Sequence, residues 1–195
     1  MEPEGNRPRP LRIGLIGCGR MARKHIRTMA SLPEVELAAV SDVAAERMEE
    51  AARLYREEAG RNAERDTAAA AVPAAEPGAA SQTAGEAAPG IRKFASYEEL
   101  LASPDVDAVV IATSSALHAE AALKAIRAGR PVMVEKPLAL SLRDAELIRG
   151  EAERFRVPVL VCHQLRYRPL FRRLKRAIDG GGFGNILYAA ASLRI

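Results

Sequence analysis

The 195-residue sequence contains no tryptophan, four phenylalanines, four tyrosines and only two cysteines. With so few aromatics the interior has to be aliphatic, and apolar residues at 48% of the chain are enough for an ordinary core. Cys18 and Cys162 can build neither a disulfide framework nor a metal-ligand cluster, so no metal site is expected. Each sits in a stretch that reads as a buried strand, where a thiol is small apolar filling. The first ten residues, MEPEGNRPRP, are polar and proline-rich and hold no apolar leader core. No apolar run approaches the roughly eighteen residues of a membrane span. A formal charge of +4 suits a phosphate-bearing ligand. The charges are scattered except near the C-terminus and no basic–aromatic platform is present, which argues against nucleic acid. The expectation is a soluble, cytoplasmic protein of one domain and part of another, with neither membrane nor nucleic acid as partner.

What is present centres on Leu11–Ala22, LRIGLIGCGRMA. Leu11 to Ile16 is a short apolar run with the look of a buried parallel strand. Gly17-Cys18-Gly19-Arg20-Met21-Ala22 then fits G-x-G-x-x-G/A, and an amphipathic helix from Arg20 to Ser31 follows at once. Between a strand and a helix this pattern predicts dinucleotide binding. Gly17 permits the tight turn, Gly19 lets a pyrophosphate approach bare backbone, and Ala22 lets helix and strand pack closely. The first N–H groups of the helix, including those of Arg20 and Met21, then face the phosphates. The next apolar run, Val35 to Val40, ends at Ser41-Asp42, a little over twenty residues beyond the turn. An acid there accepts hydrogen bonds from the adenosine ribose hydroxyls and repels a 2′-phosphate, which favours NAD over NADP. Asp42 also stands where an N-cap of the following helix, Val43 to Gly60, would stand, and the two roles are compatible.

Further on, strands and helices alternate: Ile91–Phe94, a helix opened by a Ser96/Glu99 capping box, Val106–Ala112, a helix from the Thr113-Ser114-Ser115 turn to Gly129, Pro131–Val134, a helix from Ser141 to Phe155, and Pro158–Cys162. Such alternation predicts an α/β fold, a doubly wound parallel sheet with right-handed crossovers. It is interrupted at about 57–90 by an Ala/Pro/Gly-rich insert. Its first part can extend the preceding helix to Val72, before Pro73, and its remainder is expected to be disordered. Ligands of such sheets bind beyond the carboxyl ends of the strands, which puts Gly17, Asp42, Thr113, Glu135, Lys136 and His163 on one rim.

Glu135-Lys136-Pro137 is the second informative site. Most lysines in loops are simply solvated, but this one follows a strand end beside the expected nicotinamide position. A lysine there, partly desolvated, could hydrogen-bond a substrate hydroxyl or assist its deprotonation. Taken together, GLIGCGRMA, Asp42, SYEELLASPDVDAVVIAT, LHAEAALKAIRAG, VMVEKPLALS and the HQxRYxP segment resemble the glucose-fructose oxidoreductase/inositol dehydrogenase (Gfo/Idh/MocA) family over nearly all of the chain outside the insert. The resemblance implies an NAD(P)-binding Rossmann domain over 11–165 and hydride transfer to or from a secondary alcohol of a sugar, cyclitol or nucleotide-sugar. It implies that Lys136, before a cis-Pro137, is the catalytic lysine, and that Thr113, Ser114, His118 and Glu135 line the nicotinamide side. The turn reads Thr-Ser-Ser where the family commonly has Thr-Pro or Thr-Pro-Asn.

His163, Gln164, Arg166 and Tyr167 would then face the substrate. Their segment, with Phe183 to Tyr188, looks most like members that oxidise nucleotide-linked hexosamine uronates, although Leu165 replaces the usual Asn. Arg166, Arg168, Arg172, Arg173, Lys175 and Arg176 form a basic cluster, read as a solvated helix face in preference to a site for an acidic substrate. Residues 166–195 correspond to the opening of the family's second domain, a helix at about 169–178 and a strand at about 185–193. The expectations are therefore an incomplete chain that binds NAD without turnover, and a homo-oligomer at full length. Two other functions share the fold: a non-catalytic, NAD-sensing regulator and a redox-neutral, NAD-using glycosidase.

Overall fold

A computed structural model describes residues 9–70 and 90–192, and the side chains of 66–70 are outside that description. The expected disorder of the insert therefore falls largely outside the described residues. The chain divides into two compact units between Val161 and Cys162.

The first unit is built on a sheet in the order β3-β2-β1-β4-β5-β6. Its strands are β1 (Leu11–Ile16), β2 (Val35–Ser41), β3 (Arg92–Phe94), β4 (Ala108–Ile111), β5 (Val132–Glu135) and β6 (Val159–Cys162), the last ending at the unit boundary. Every register-resolved pair is parallel, with Leu15 opposite Val40 on one side and Val110 on the other. This is the order of a dinucleotide-binding fold, reversing direction between β1 and β4. The helices between them are α1 (Arg20–Ala30), α2 (Ala45–Ala70), α3 (Tyr97–Ala102), α4 (His118–Arg127, after a 3-10 turn at Ser115–Leu117) and α5 (Leu142–Phe155).

Alternation along the strands divides the core into two layers. Ile13, Leu15, Val40 and Val110 meet Ala22, Ile26 and Met29 of α1 and Met48 and Ala51 of α2. Ile16, Val109, Ile111 and Val134 meet Leu100 of α3, Ala122 and Ile126 of α4, and Ile148 of α5. Both faces are covered, so the central strands are apolar throughout instead of alternating. The helix starts follow local chemistry. Ser96 Oγ accepts the Glu99 N–H at 3.2 Å, and Ser141 Oγ accepts the Asp144 N–H at 3.0 Å. Helix α2 runs ten residues past Gly60, through the alanines that sequence alone allows to continue it. No described helix is long and apolar enough to cross a membrane.

The second unit contains a 3-10 turn at Gln164–Tyr167 and α6 (Pro169–Asp179), whose first residue is a proline at the one helical turn that tolerates it. The strand expected at about 185–193 is not formed over 185–192, and the rest of it lies outside the described residues. A strand exists through ladder bonds to a neighbour, and no other strand lies within the described residues of this unit beyond the end of β6.

At the edge of the sheet opposite the strand carboxyl ends, Asp107 gathers five donors. Arg9 reaches it with Nη1 and Nη2 at 2.7 and 3.1 Å, and Arg12 with its backbone N–H at 2.9, Nε at 3.2 and Nη2 at 2.9 Å. The hydrogen bonds from Arg9, then Arg12, hold this carboxyl far below the usual carboxylate range. A depressed folded-state pKa contributes stability that is fully present above the unfolded value and fades as pH falls below it. Asp107→Asn should therefore lower stability by about 1–2 kcal/mol at neutral pH, part of the network being exposed. In urea titrations across a pH series the gap from wild type should hold down to about pH 4 and narrow below it. A gap that widens with acid would contradict this.

Candidate functional site

Three chain segments meet at the carboxyl ends of β1, β2 and β4. The turn after β1 is fixed by Gly17, at φ +87°, whose N–H donates to the Ser41 carbonyl at 2.8 Å. A Cβ on Gly17 would stand 2.8 Å from the Thr113 backbone nitrogen and 2.9 Å from the Ala112 carbonyl carbon. Gly17 is thus required both by its left-handed conformation and by the close passage of the chain leaving β4. Gly19 differs. It is extended, it is the N-cap of α1 with no side-chain cap, and a Cβ there would meet nothing within 4 Å. The first turn of α1 also carries no acidic residue. Its leading N–H groups and positive dipole end are therefore left for an external anion.

Asp42 fastens this turn. Its Oδ2 accepts the Cys18 N–H at 2.8 Å and its Oδ1 accepts the Ala44 N–H at 3.0 Å, so it joins the glycine turn to the start of α2. Helix α2 opens at Ala45, two residues later than expected, so Asp42 closes the turn leading into the helix and is not its N-cap. Each of its carboxylate oxygens keeps a second lone pair for a ligand. Arg47 Nη1 stands 3.8 Å from Oδ1. The Cys18 thiol is buried beside the carboxylate, and burial first and Asp42 second push its pKa up to about 12, so it stays protonated and inert.

A cavity of about 590 Å³ opens over these groups. Of the residues expected to hold a cofactor, Gly17, Gly19, Arg20, Met21, Asp42, Thr113 and Ser114 line it. Cys18, His118, Glu135 and Lys136 do not. Arg47 and Tyr97 line it unforeseen. Arg47 lies in the first turn of α2 and belongs to no motif, while Tyr97 belongs to the SYEELLASPDVDAVVIAT segment, which was read as a capping box and as part of the resemblance with no ligand role assigned. The volume falls in the range of small-molecule sites. Gly19's open side and the uncapped helix suit a diphosphate, and Asp42 at the wall suits vicinal hydroxyls, so the residues present fit a nicotinamide dinucleotide.

The residues expected on the nicotinamide side are arranged differently from the expectation. His118 is buried, with Nδ1 2.7 Å from the Pro137 carbonyl oxygen and Nε2 3.2 Å from that of Thr113. It spans the loops after β4 and β5 and does not face the cavity, because both ring nitrogens are turned onto backbone acceptors. Glu135 is buried too, with Oε1 2.8 Å from His25 Nε2 and Oε2 accepting the Lys136 N–H at 3.2 Å. His25, on α1, has no motif of its own and went unforeseen. Lys136 precedes a cis peptide to Pro137, as the resemblance implied. Its side chain is exposed, so the protein alone does not desolvate it as the sequence reading supposed. His163, Gln164, Arg166 and Tyr167 belong to the second unit, where the Arg166 N–H donates to the His163 carbonyl at 3.0 Å.

Residues 11–163 match the family model described as "Oxidoreductase family, NAD-binding Rossmann fold". Inositol 2-dehydrogenase 3 of Saccharopolyspora erythraea is 31% identical over 181 residues, covering 92% of this chain and 44% of that protein. The 1,5-anhydro-D-fructose reductase of Ensifer adhaerens is 41% identical over 98 residues, 50% of this chain and 29% of its own. Among solved structures, the WlbA dehydrogenase of Bordetella pertussis, in complex with NADH and UDP-GlcNAcA, superposes with a TM-score of 0.66 at 29% identity, over 90% of this chain and 41% of that one. The chain spans less than half the length of these relatives.

The two glycines of the turn make separable predictions. Gly17→Ala places a Cβ against backbone that cannot move independently and should cost about 1–3 kcal/mol in urea denaturation. Gly19→Ala points its methyl into open space and should cost less than about 1 kcal/mol, the difference between glycine and alanine as an N-cap. Equal losses would contradict the assignment of the backbone contact to Gly17.

Proposed function

The chain belongs to the Gfo/Idh/MocA oxidoreductase family, and from that membership we propose that the full-length protein moves a hydride between a nicotinamide nucleotide and a secondary alcohol of a cyclitol or sugar. The observation that carries the reading is the cavity at the head of α1, where an uncapped, acid-free helix start faces Asp42 across the glycine turn. The N–H groups at the start of α1 would hold the diphosphate, and Asp42 would accept hydrogen bonds from the adenosine ribose hydroxyls. Thr113 and Ser114, after β4, would line the nicotinamide side. When bound, the nucleotide supplies the hydride donor or acceptor.

The remaining work falls to this chain's residues. Lys136 leaves the end of β5, next to β4 in the sheet order, and binds the reacting hydroxyl through its side-chain nitrogen. In oxidation the neutral amine takes the hydroxyl proton and becomes an ammonium; in reduction the ammonium returns that proton to the carbonyl oxygen. His163, Gln164, Arg166 and Tyr167 are proposed to meet the substrate. The curated relatives named above support a cyclitol or simple sugar; the likeness to WlbA supports trying a nucleotide-linked uronate as the second class.

NAD is the proposed nucleotide, because a 2′-phosphate would meet the Asp42 carboxylate. Calorimetric titration should give tighter binding of NAD than of NADP. Asp42→Ala should weaken NAD binding about 10–100-fold, the scale of a lost charged hydrogen-bond acceptor, and abolish the preference. An unchanged NAD/NADP ratio would remove Asp42 from the ribose. In the full-length enzyme, Lys136→Ala should lower kcat about 10²–10⁴-fold while NAD affinity stays within about threefold. An unchanged kcat would reduce Lys136 to a scaffold residue.

A further inference from the structure

Glu135 is a carboxylate placed at the end of a central strand with almost no access to water, a position that is costly unless both oxygens are engaged. They are. Oε1 faces His25 Nε2 at 2.8 Å, with the His25 side chain itself 12% exposed, and Oε2 takes the backbone N–H of Lys136 at 3.2 Å. Among the described residues no Lys or Arg forms an ion pair with Glu135, and His25 is a side chain that hydrogen-bonds it. His25 lies in the second turn of α1, the helix whose first turn, Arg20 and Met21, lines the cavity.

The peptide of Lys136 is therefore held on its N-terminal side by a chain of contacts leading back to the glycine turn: α1, His25, Glu135, Lys136 N–H. On its C-terminal side the Pro137 carbonyl faces His118, whose other nitrogen faces the carbonyl of the cavity-lining Thr113. Both grips start from elements that line the cavity. Neither touches the end of the lysine side chain, whose nitrogen has no hydrogen-bond or ion-pair partner among the described residues.

We propose that His25 is a positioning residue for Lys136: through its hydrogen bond to Glu135 it fixes the backbone from which the lysine projects, and so ties the geometry of the lysine to the phosphate-facing helix. The inference rests on the cofactor reading only for its consequence; the positioning itself is a property of the chain alone. It is specific in its atoms. A side chain that can donate to Glu135 from the position of Nε2 preserves it, and one that merely fills the volume does not.

The test compares wild type, His25→Ala, His25→Leu and His25→Gln in the 195-residue chain. Amide hydrogen exchange is followed at Lys136 and, as a core reference, at Leu15, with NAD titrated calorimetrically in parallel. His25→Ala and His25→Leu should speed exchange at Lys136 by about tenfold or more relative to Leu15, and His25→Gln, which can still donate, should restore most of the protection. Should His25→Ala fail to fold, His25→Leu carries the same comparison. Lys136 exchange that is unchanged, or that rises only in step with Leu15, overturns the proposal. Rescue by His25→Leu as complete as by His25→Gln overturns it as well, because volume would then suffice. Failure of the wild-type chain to bind NAD counts against the cofactor reading, and the exchange comparison still decides the role of His25.

Discussion

The site depends on one carboxylate accepting a backbone N–H. Asp42, at the end of β2, takes the N–H of Cys18 at 2.8 Å and so closes the turn after β1 against the neighbouring strand. The Gly17 N–H does the same to the Ser41 carbonyl, also at 2.8 Å. Together these bonds aim the first turn of α1 outward while its N–H groups remain unmatched. A helix start inside a protein normally finds a side-chain cap, and here none is supplied. The unmatched donors and the acid beside them form one structure, and a dinucleotide offers the complement of each part.

The same economy appears on the other side of the sheet reversal. Parallel strands deliver their chain ends to one edge, and the loops leaving β4 and β5 are joined by His118 through two carbonyls. Glu135 and His25 join β5 back to α1. Lys136 is consequently an exposed side chain on an anchored backbone, the arrangement a reacting group needs if it must be accurate in position yet reachable by substrate. The buried polar atoms that do this anchoring are satisfied: among the described residues no buried side-chain nitrogen or oxygen lacks a partner.

Much of this was legible in the sequence because it is periodic or local. The apolar runs gave six parallel strands, Ser96 and Ser141 declared their helices, and Gly17, Gly19 and Asp42 stood at the spacing of a strand–turn–helix nucleotide-binding unit. What was illegible depends on distance in space. His25 and Glu135 are separated by 110 residues and meet only because α1 packs beside the end of β5. The family resemblance implied that His118 lines the nicotinamide side, and only the packed structure shows both nitrogens turned onto backbone. The strand expected at about 185–193 had the right composition, but composition cannot supply the neighbour that a ladder requires.

The central claim is that the cradle formed by Gly17, Gly19 and Asp42 at the head of α1 holds a nicotinamide dinucleotide. Crystals of this chain grown with NAD test it most directly. The account predicts density for the diphosphate against the N–H groups of the first turn of α1, with a ribose hydroxyl within hydrogen-bond distance of Asp42. Density for the nucleotide elsewhere, or an empty cradle at saturating NAD, would contradict it.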